Sequence, residues 1–158
     1  MDNELNEKIK DRFKTLWKNY LLQSLLAAIT LLILALALGE DKMVLISAIG
    51  GTAFIVFAMP NTDSAKPKNV ITSHLLGLIA GSIFYFTNFP YYIEWPLAVG
   101  IAIFLMVALD FIHPPAAGTA LASAIYQAPL NTLITILAAT LIISQCRHLL
   151  RNYLKNLV

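Results

Sequence analysis

The sequence predicts an all-α integral membrane protein, and three observations predict it. Of 158 residues, 58% are hydrophobic and only 13% charged, where a soluble domain carries about 25% charged residues. The charges avoid the middle of the chain. Between Leu21 and Ile46 only Glu40, Asp41 and Lys42 carry one, and between Ile71 and Ser144 only Glu94 and Asp110. The apolar runs left between the polar linkers approach the roughly 20 residues that a helix needs to cross a ~30 Å hydrocarbon core.

The first element is residues 1–20. Leu5, Ile9, Phe13, Leu16, Trp17 and Tyr20 recur at three- and four-residue spacing, with Lys8, Lys10, Arg12, Lys14 and Lys18 largely between them. This predicts an amphipathic helix with a basic face, suited to the cytoplasmic surface of an anionic leaflet; a solvated leader is the other reading. The run LLQSLLAAITLLILALAL (21–38) is too long for a signal-peptide core and is followed by GEDK rather than a small-residue cleavage site, so it reads as a retained span. Four acids in residues 1–20 also disfavour an organelle transit peptide. The single cysteine, Cys146, permits no internal disulfide.

Five more apolar segments follow, at 43–59, 71–89, 95–112, 115–126 and 130–146, making a transmembrane domain over 21–146 and a basic cytoplasmic tail over 147–158. Two of the segments are short. MVLISAIGGTAFIVFAM carries the Gly50-Gly51 pair, a candidate helix break, and PAAGTALASAIY has 12 residues, which as a helix reach only roughly 18 Å. The latter must be a half-helix continued by non-helical chain, or a re-entrant loop. Trp95, Tyr91 and Tyr92 read as an interfacial aromatic belt.

Charge orders the segments. If all six cross and both termini are cytoplasmic, five bases in 1–20 share a side with Lys66, Lys68, Arg147, Arg151 and Lys155, leaving Lys42 alone outside. The positive-inside rule favours that arrangement over four crossings with two re-entrant segments. Gly51-Thr52-Ala53 recurs as Gly118-Thr119-Ala120, and His74-Leu75-Leu76 as His148-Leu149-Leu150. Three crossings per half would make these the two members of a 3+3 inverted repeat, with interrupted segments meeting at mid-membrane.

The stretch DFIHPPAAGTAL (110–121) interrupts the apolar chain with an acid, a histidine and two prolines. Proline disfavours a helical residue before it and is welcome in a first helical turn, so one helix should stop near His113 and another start at Pro114-Pro115. Small residues through Ala117 and Gly118 let a backbone or solute approach closely. A helix start offers amide hydrogens and a positive dipole end to a small anion. His113 could add a donor and Thr119 a hydroxyl, opposite Gly50, Gly51 and Thr52. The other reading is a tight corner at the membrane surface. Asp110 favours a functional site if it lies within the membrane; at the interface it would be an end residue pairing with a loop lysine. Lys66, Lys68, Asn69 and His74, in and beside PNTDSAKPKNVITSH (60–74), are candidates for a vestibule or gate that concentrates anions; an ordinary positive loop is the plain alternative. Nothing points to an enzyme, a cofactor, a metal or nucleic acid: no nucleophile elbow, zinc motif or phosphate-binding loop is present, and three scattered histidines make no metal site.

GGTAFIVFAMP (50–60), KPKNVITSHLLG (66–77), WPLAVGIAIFLM (95–106) and HPPAAGTAL (113–121) together resemble the HPP family of integral membrane proteins, named for that tripeptide, over about residues 43–126. The resemblance carries over Pro60, Pro67, Asn69, His74, His113, Pro114, Pro115 and Gly118. It implies a membrane transport protein, with nitrite the solute associated with plastid and cyanobacterial members. The family is often described with four spans rather than six, and some members append cytoplasmic CBS domains that are not present in this chain. NTDSA (61–65) departs from the more Ser/Pro-like stretch expected there.

The expectation is therefore a small-solute transporter or channel of the plasma or bacterial inner membrane. It would take a small inorganic anion such as nitrite, sit among membrane lipids and form a homo-oligomer through small-residue faces. A carrier of another solute, including a cation served by Asp110, and a non-transporting scaffold or sensor are the rivals.

Overall fold

The computed structural model of the chain describes residues 2–38, 42–127 and 130–158. Glu40, and Ala128 and Pro129 of the QAPLN linker, lie outside them. Six helices follow one another: α1 Asp2–Leu38, α2 Met43–Ala58, α3 Pro67–Ser82, α4 Tyr91–Ala108, α5 Pro115–Tyr126 and α6 Leu130–Leu150. α1, α4, α6 and α3 with its 3₁₀ extension to Phe86 are long and apolar enough to span a membrane, while α2 is shorter. The fold is all-α, as composition predicts, with no strand among the described residues.

The six helices alternate in direction. Gln23 of α1 reaches Phe57 near the end of α2, and Leu31 of α1 lies against Gly50, so the two are antiparallel. Arg147, late in α6, donates to the Pro60 carbonyl beyond the end of α2, which places the end of α6 beside the end of α2. At the opposite end the Val44 amide donates to the Tyr126 hydroxyl, joining the start of α2 to the end of α5. Gly77 and Gly81 of α3 lie against Ala116 and Ala120 of α5, so these two run parallel. α1–α3 and α4–α6 thus run in opposite senses, the relation an inverted repeat requires.

Besides α3 starting at Pro67 rather than Ile71 and α6 running on to Leu150 in the expected tail, sequence reading and structure differ at four places. No Gly or Pro separates residues 1–20 from 21–38, so α1 is one 37-residue helix, about 55 Å long. Its basic first half extends beyond any ~30 Å core. The C-terminal tail packs against it: Asn19 donates to the Tyr153 carbonyl, and buried Gln23 both donates to the Lys155 carbonyl and accepts from the Lys155 amide. Second, Gly50-Gly51 does not break α2, which is short but continuous. The pair instead gives close approach on two sides, Gly50 towards Leu31 and Gly51 towards Pro115. Third, the linker residues Tyr91–Glu94 form the first turn of α4. Fourth, α4 ends at Ala108, not near His113. Asp110 takes a left-handed conformation (φ 57°), the Phe111 amide bonds the Met106 carbonyl and the Asp110 amide the Val107 carbonyl. This doubled C-terminal turn usually uses glycine or asparagine at the left-handed position, and aspartate is among the few other residues that tolerate it.

The core has three parts, the smallest being Phe84, Ala98 and Ala124. Leu45, Ile49, Ala53, Val56 and Phe57 of α2 pack with Leu34, Ile136 and Ile143. Ala80, Ala102, Met106, Ala116 and Ala120 form a small-residue seam between α3, α4 and α5. Outward faces carry exposed Leu25, Leu36, Phe104 and Ile142, as lipid-facing helices should.

Candidate functional site

Of the described glycines, Gly77 and Gly81 of Gly77-Leu-Ile-Ala-Gly81 have the least room. A Cβ at Gly77 would run into the Ala116 carbonyl oxygen, and one at Gly81 into the Ala120 carbonyl. This G-x-x-x-G spacing lets α3 and α5 touch backbone to backbone. It sets the depth of α5: Ala116 lies level with Gly77, roughly 15 Å along α3 from Pro67. α5 is therefore a half-helix. It starts inside the protein and reaches the opposite end, where Ser123 meets Ser82 at 3.2 Å. Within the His-Pro-Pro turn His113 is buried, Pro115 half-buried and Pro114 exposed.

Four polar side chains converge at that level: Thr52 of α2, His74 of α3, His113 before α5 and Thr119 of α5, all fully buried. His74 Nδ1 is 2.7 Å from Thr119 Oγ1 and its Nε2 is 2.8 Å from Thr52 Oγ1. Thr52 Oγ1 is also 3.0 Å from His113 Nε2, while His113 Nδ1 lies 2.7 Å from the Ser64 carbonyl. The ring centroids are 5.3 Å apart. Every ring nitrogen has a partner, as buried polar groups require. The threonines of the two Gly-Thr-Ala tripeptides thus clamp one imidazole from antiparallel helices. His148, the counterpart of His74 in the second tripeptide match, is exposed on α6 and takes no part.

Beyond His113 a polar mouth of about 320 Å³ is lined by Asp63, Ser64, Lys66, Lys68, Asn69, Asp110 and Ile112. Lys66 pairs with Asp63 and holds its carboxyl below the usual carboxylate range by hydrogen bond and charge. Lys68 lies 6.0 Å from the Phe111 ring. The Asn69 amide donates to the Asp63 carbonyl at 2.9 Å, while its buried Oδ1 has no partner. The mouth and the buried chain share a wall, because Ser64 and Ile112 line the mouth and flank His113.

The family profile described as "HPP, transmembrane region" matches residues 11–156. The chain belongs to the HPP family. It is also similar to two transmembrane proteins of Dictyostelium discoideum: 36% identical over 54% of this chain and 31% of the first, and 30% identical over 52% of this chain and 28% of the second. It therefore spans about a third of the length of these curated relatives. No solved structure matches it. Membership of HPP and the apolar helices make this an integral membrane protein.

The structure sorts the sequence candidates of this HPP chain into two groups. Thr52, His74, His113 and Thr119 form the buried chain, with Lys66, Lys68, Asn69 and Asp110 at the adjoining mouth. Gly51, Pro115 and Gly118 instead line an apolar groove between α2 and α5 with Met43, Val44, Ser47, Ala48 and Leu121. Gly50 turns towards α1, Pro114 is exposed and Ala117 half-buried. Asp110 is exposed at the mouth, where it caps α4 rather than serving as an intramembrane acid. The start of α5 offers few free donors: its two prolines have no N–H, the Ala116 amide bonds the His113 carbonyl at 3.0 Å, and the Ala117 amide bonds the Pro114 carbonyl at 3.1 Å. An anion held by free amides there, as the sequence suggests, therefore lacks its donors. Two participants were missed in the sequence. The Gly77/Gly81 spacing was a legible signal; Ser64, which acts through its backbone carbonyl, left none.

Proposed function

We propose that this HPP protein is a small-solute transporter or channel, with a small inorganic anion as its solute and nitrite as the specific candidate. The observation that carries the reading is the fully buried Thr52–His74–His113–Thr119 chain directly behind a mouth bearing two lysines. Polar side chains inside a membrane protein are costly and mark solute or proton routes. Lys66 and Lys68 put two cationic groups within reach of an arriving anion, in a mouth whose net charge Asp63 and Asp110 balance. The burial of His113 and its bond to Thr52 speak against a scaffold in which the turn is only a surface corner, and the capping role of Asp110 weakens the case for a cation carrier. The basic residues gathered at one end support a cytoplasmic location for both termini, in the plasma or bacterial inner membrane. The exposed groove at Gly51 and Gly118 is the face on which a homo-oligomer would pack.

Uptake of nitrite into proteoliposomes, run beside nitrate, formate, chloride and ammonium, tests the reading. Protein-dependent nitrite uptake above the other solutes is the expected result. Selective ammonium uptake, or none of any solute, overturns it.

A further inference from the structure

When both imidazoles are neutral, the hydrogens of the buried chain can be placed in only one way that pairs every ring nitrogen. The Ser64 carbonyl can only accept, so His113 carries its hydrogen on Nδ1 and leaves Nε2 bare. Among the described residues the only donor facing that nitrogen is the Thr52 hydroxyl, 3.0 Å away. Its one hydrogen thus committed, Thr52 Oγ1 must accept from His74 Nε2 at 2.8 Å. His74 Nδ1 is then an acceptor and receives the Thr119 hydroxyl at 2.7 Å. The two histidines hold opposite tautomers, and one hydrogen-bond sense runs from Thr119 to Ser64.

One proton can be added without moving a residue. On His113 Nε2 it makes an imidazolium that donates to the Ser64 carbonyl and to Thr52 Oγ1. The Thr52 hydroxyl hydrogen swings to the Ala48 carbonyl, already 3.2 Å away, and Oγ1 accepts from both rings. A proton on His74 Nδ1 would instead displace the Thr119 hydrogen, for which the described residues show no second hydrogen-bond acceptor.

The charges around the pair give this proton a consequence. In the mouth, Asp63 and Asp110 offset Lys66 and Lys68. α2 carries no titratable residue, α3 only Lys68 and His74, and α5 only Tyr126 at its far end. On α4, Glu94 and the two tyrosines lie in the first turn, away from the mouth; on α6, Arg147 is held by the Pro60 carbonyl. A proton on His113 therefore turns a neutral mouth net positive at its inner wall, and its loss removes that attraction.

Resting on the transporter reading, we propose that the Thr52–His74–His113–Thr119 chain is a proton-binding site that takes one proton at His113 for each small anion admitted. The proton comes from water on the entry side and returns to water on the exit side. One negative and one positive charge cross together, and no covalent bond between heavy atoms forms or breaks.

Two measurements test it. In nanodiscs, nitrogen NMR of imidazole-labelled protein, with His148→Gln to simplify assignment, should find His113 as the Nδ1–H form and His74 as the Nε2–H form. Acidification should doubly protonate His113 first. Thr52→Ser should keep this pattern and Thr52→Val should lose it. Matching tautomers, or His113 singly protonated throughout the folded range, overturn the proposal. In proteoliposomes, a nitrite jump should acidify the lumen with about one proton per nitrite, faster than in protein-free vesicles and without a current. Nitrite uptake that carries current and no proton overturns the proposal and leaves the transport reading standing. Absence of uptake for every anion overturns both.

Discussion

Thr52→Val is the sharpest perturbation, because it keeps the shape of the side chain and deletes one hydroxyl. Among the described residues that hydroxyl is the only hydrogen-bonding link between the two imidazoles, at 2.8 Å from one and 3.0 Å from the other. Its loss leaves one ring nitrogen of each histidine without a partner in a fully buried site. In a soluble core an orphaned polar group costs about 1–3 kcal/mol. Within a membrane the unfolded reference also finds partners, and interhelical hydrogen bonds average about 0.6 kcal/mol with a maximum near 1.7. Two lost bonds give an expected destabilisation of about 1–3 kcal/mol. Thr140→Val is the matched control: Thr140 is equally buried, but its hydroxyl bonds only the Leu137 carbonyl of its own helix. It should cost no more than about 0.6 kcal/mol. Equilibrium unfolding in mixed micelles, followed by fluorescence of Trp17 and Trp95, measures both. Equal losses in the two variants would refute the idea that Thr52 joins the histidines.

Gly77→Ala should destabilise by about 1–3 kcal/mol, since its Cβ meets the rigid Ala116 carbonyl and α3 and α5 must separate; the same unfolding assay checks it. Gly100→Ala, where a Cβ meets nothing, should be neutral or slightly stabilising in that assay. For topology, a cysteine placed at Tyr92 in a Cys146→Ser background should be labelled from outside and one placed at Lys66 should not; labelling at Lys66 would overturn the six-crossing arrangement. Gly118→Leu should lower nitrite flux, because the added side chain must displace Ala48, 3.1 Å from the first added carbon, and shift α2 against α5; unchanged flux would detach the groove from transport.

What was legible in the sequence, and what was not, follows from the range of each signal. Hydropathy located all six helices, and the 12-residue length of 115–126 left α5 as either a half-helix or a re-entrant loop. Gly50-Gly51 misled because glycine lowers helix propensity locally, yet α2 is held helical by packing on both sides. Asp110 had two readings in the sequence, an intramembrane acid or an end residue at the interface, and its left-handed backbone puts it in a capping turn at the mouth beside Lys66, Lys68 and Asn69. His113, His74, Thr52 and Thr119 were each singled out, but for separate tasks. Their union depends on the contact of α3 with α5, and so on Gly77 and Gly81. The anion-binding amides failed as an expectation because the first turn of α5 bonds its own carbonyls.

The central claim is that the buried chain behind the mouth serves anion transport. Initial nitrite uptake into proteoliposomes, compared between the parent and His113→Ala at matched folded protein, tests it most directly. Removing the ring deletes a bond worth about 1–3 kcal/mol if charge-assisted, so uptake should fall roughly 5- to 150-fold. Nitrite uptake by folded His113→Ala equal to that of the parent would contradict the account.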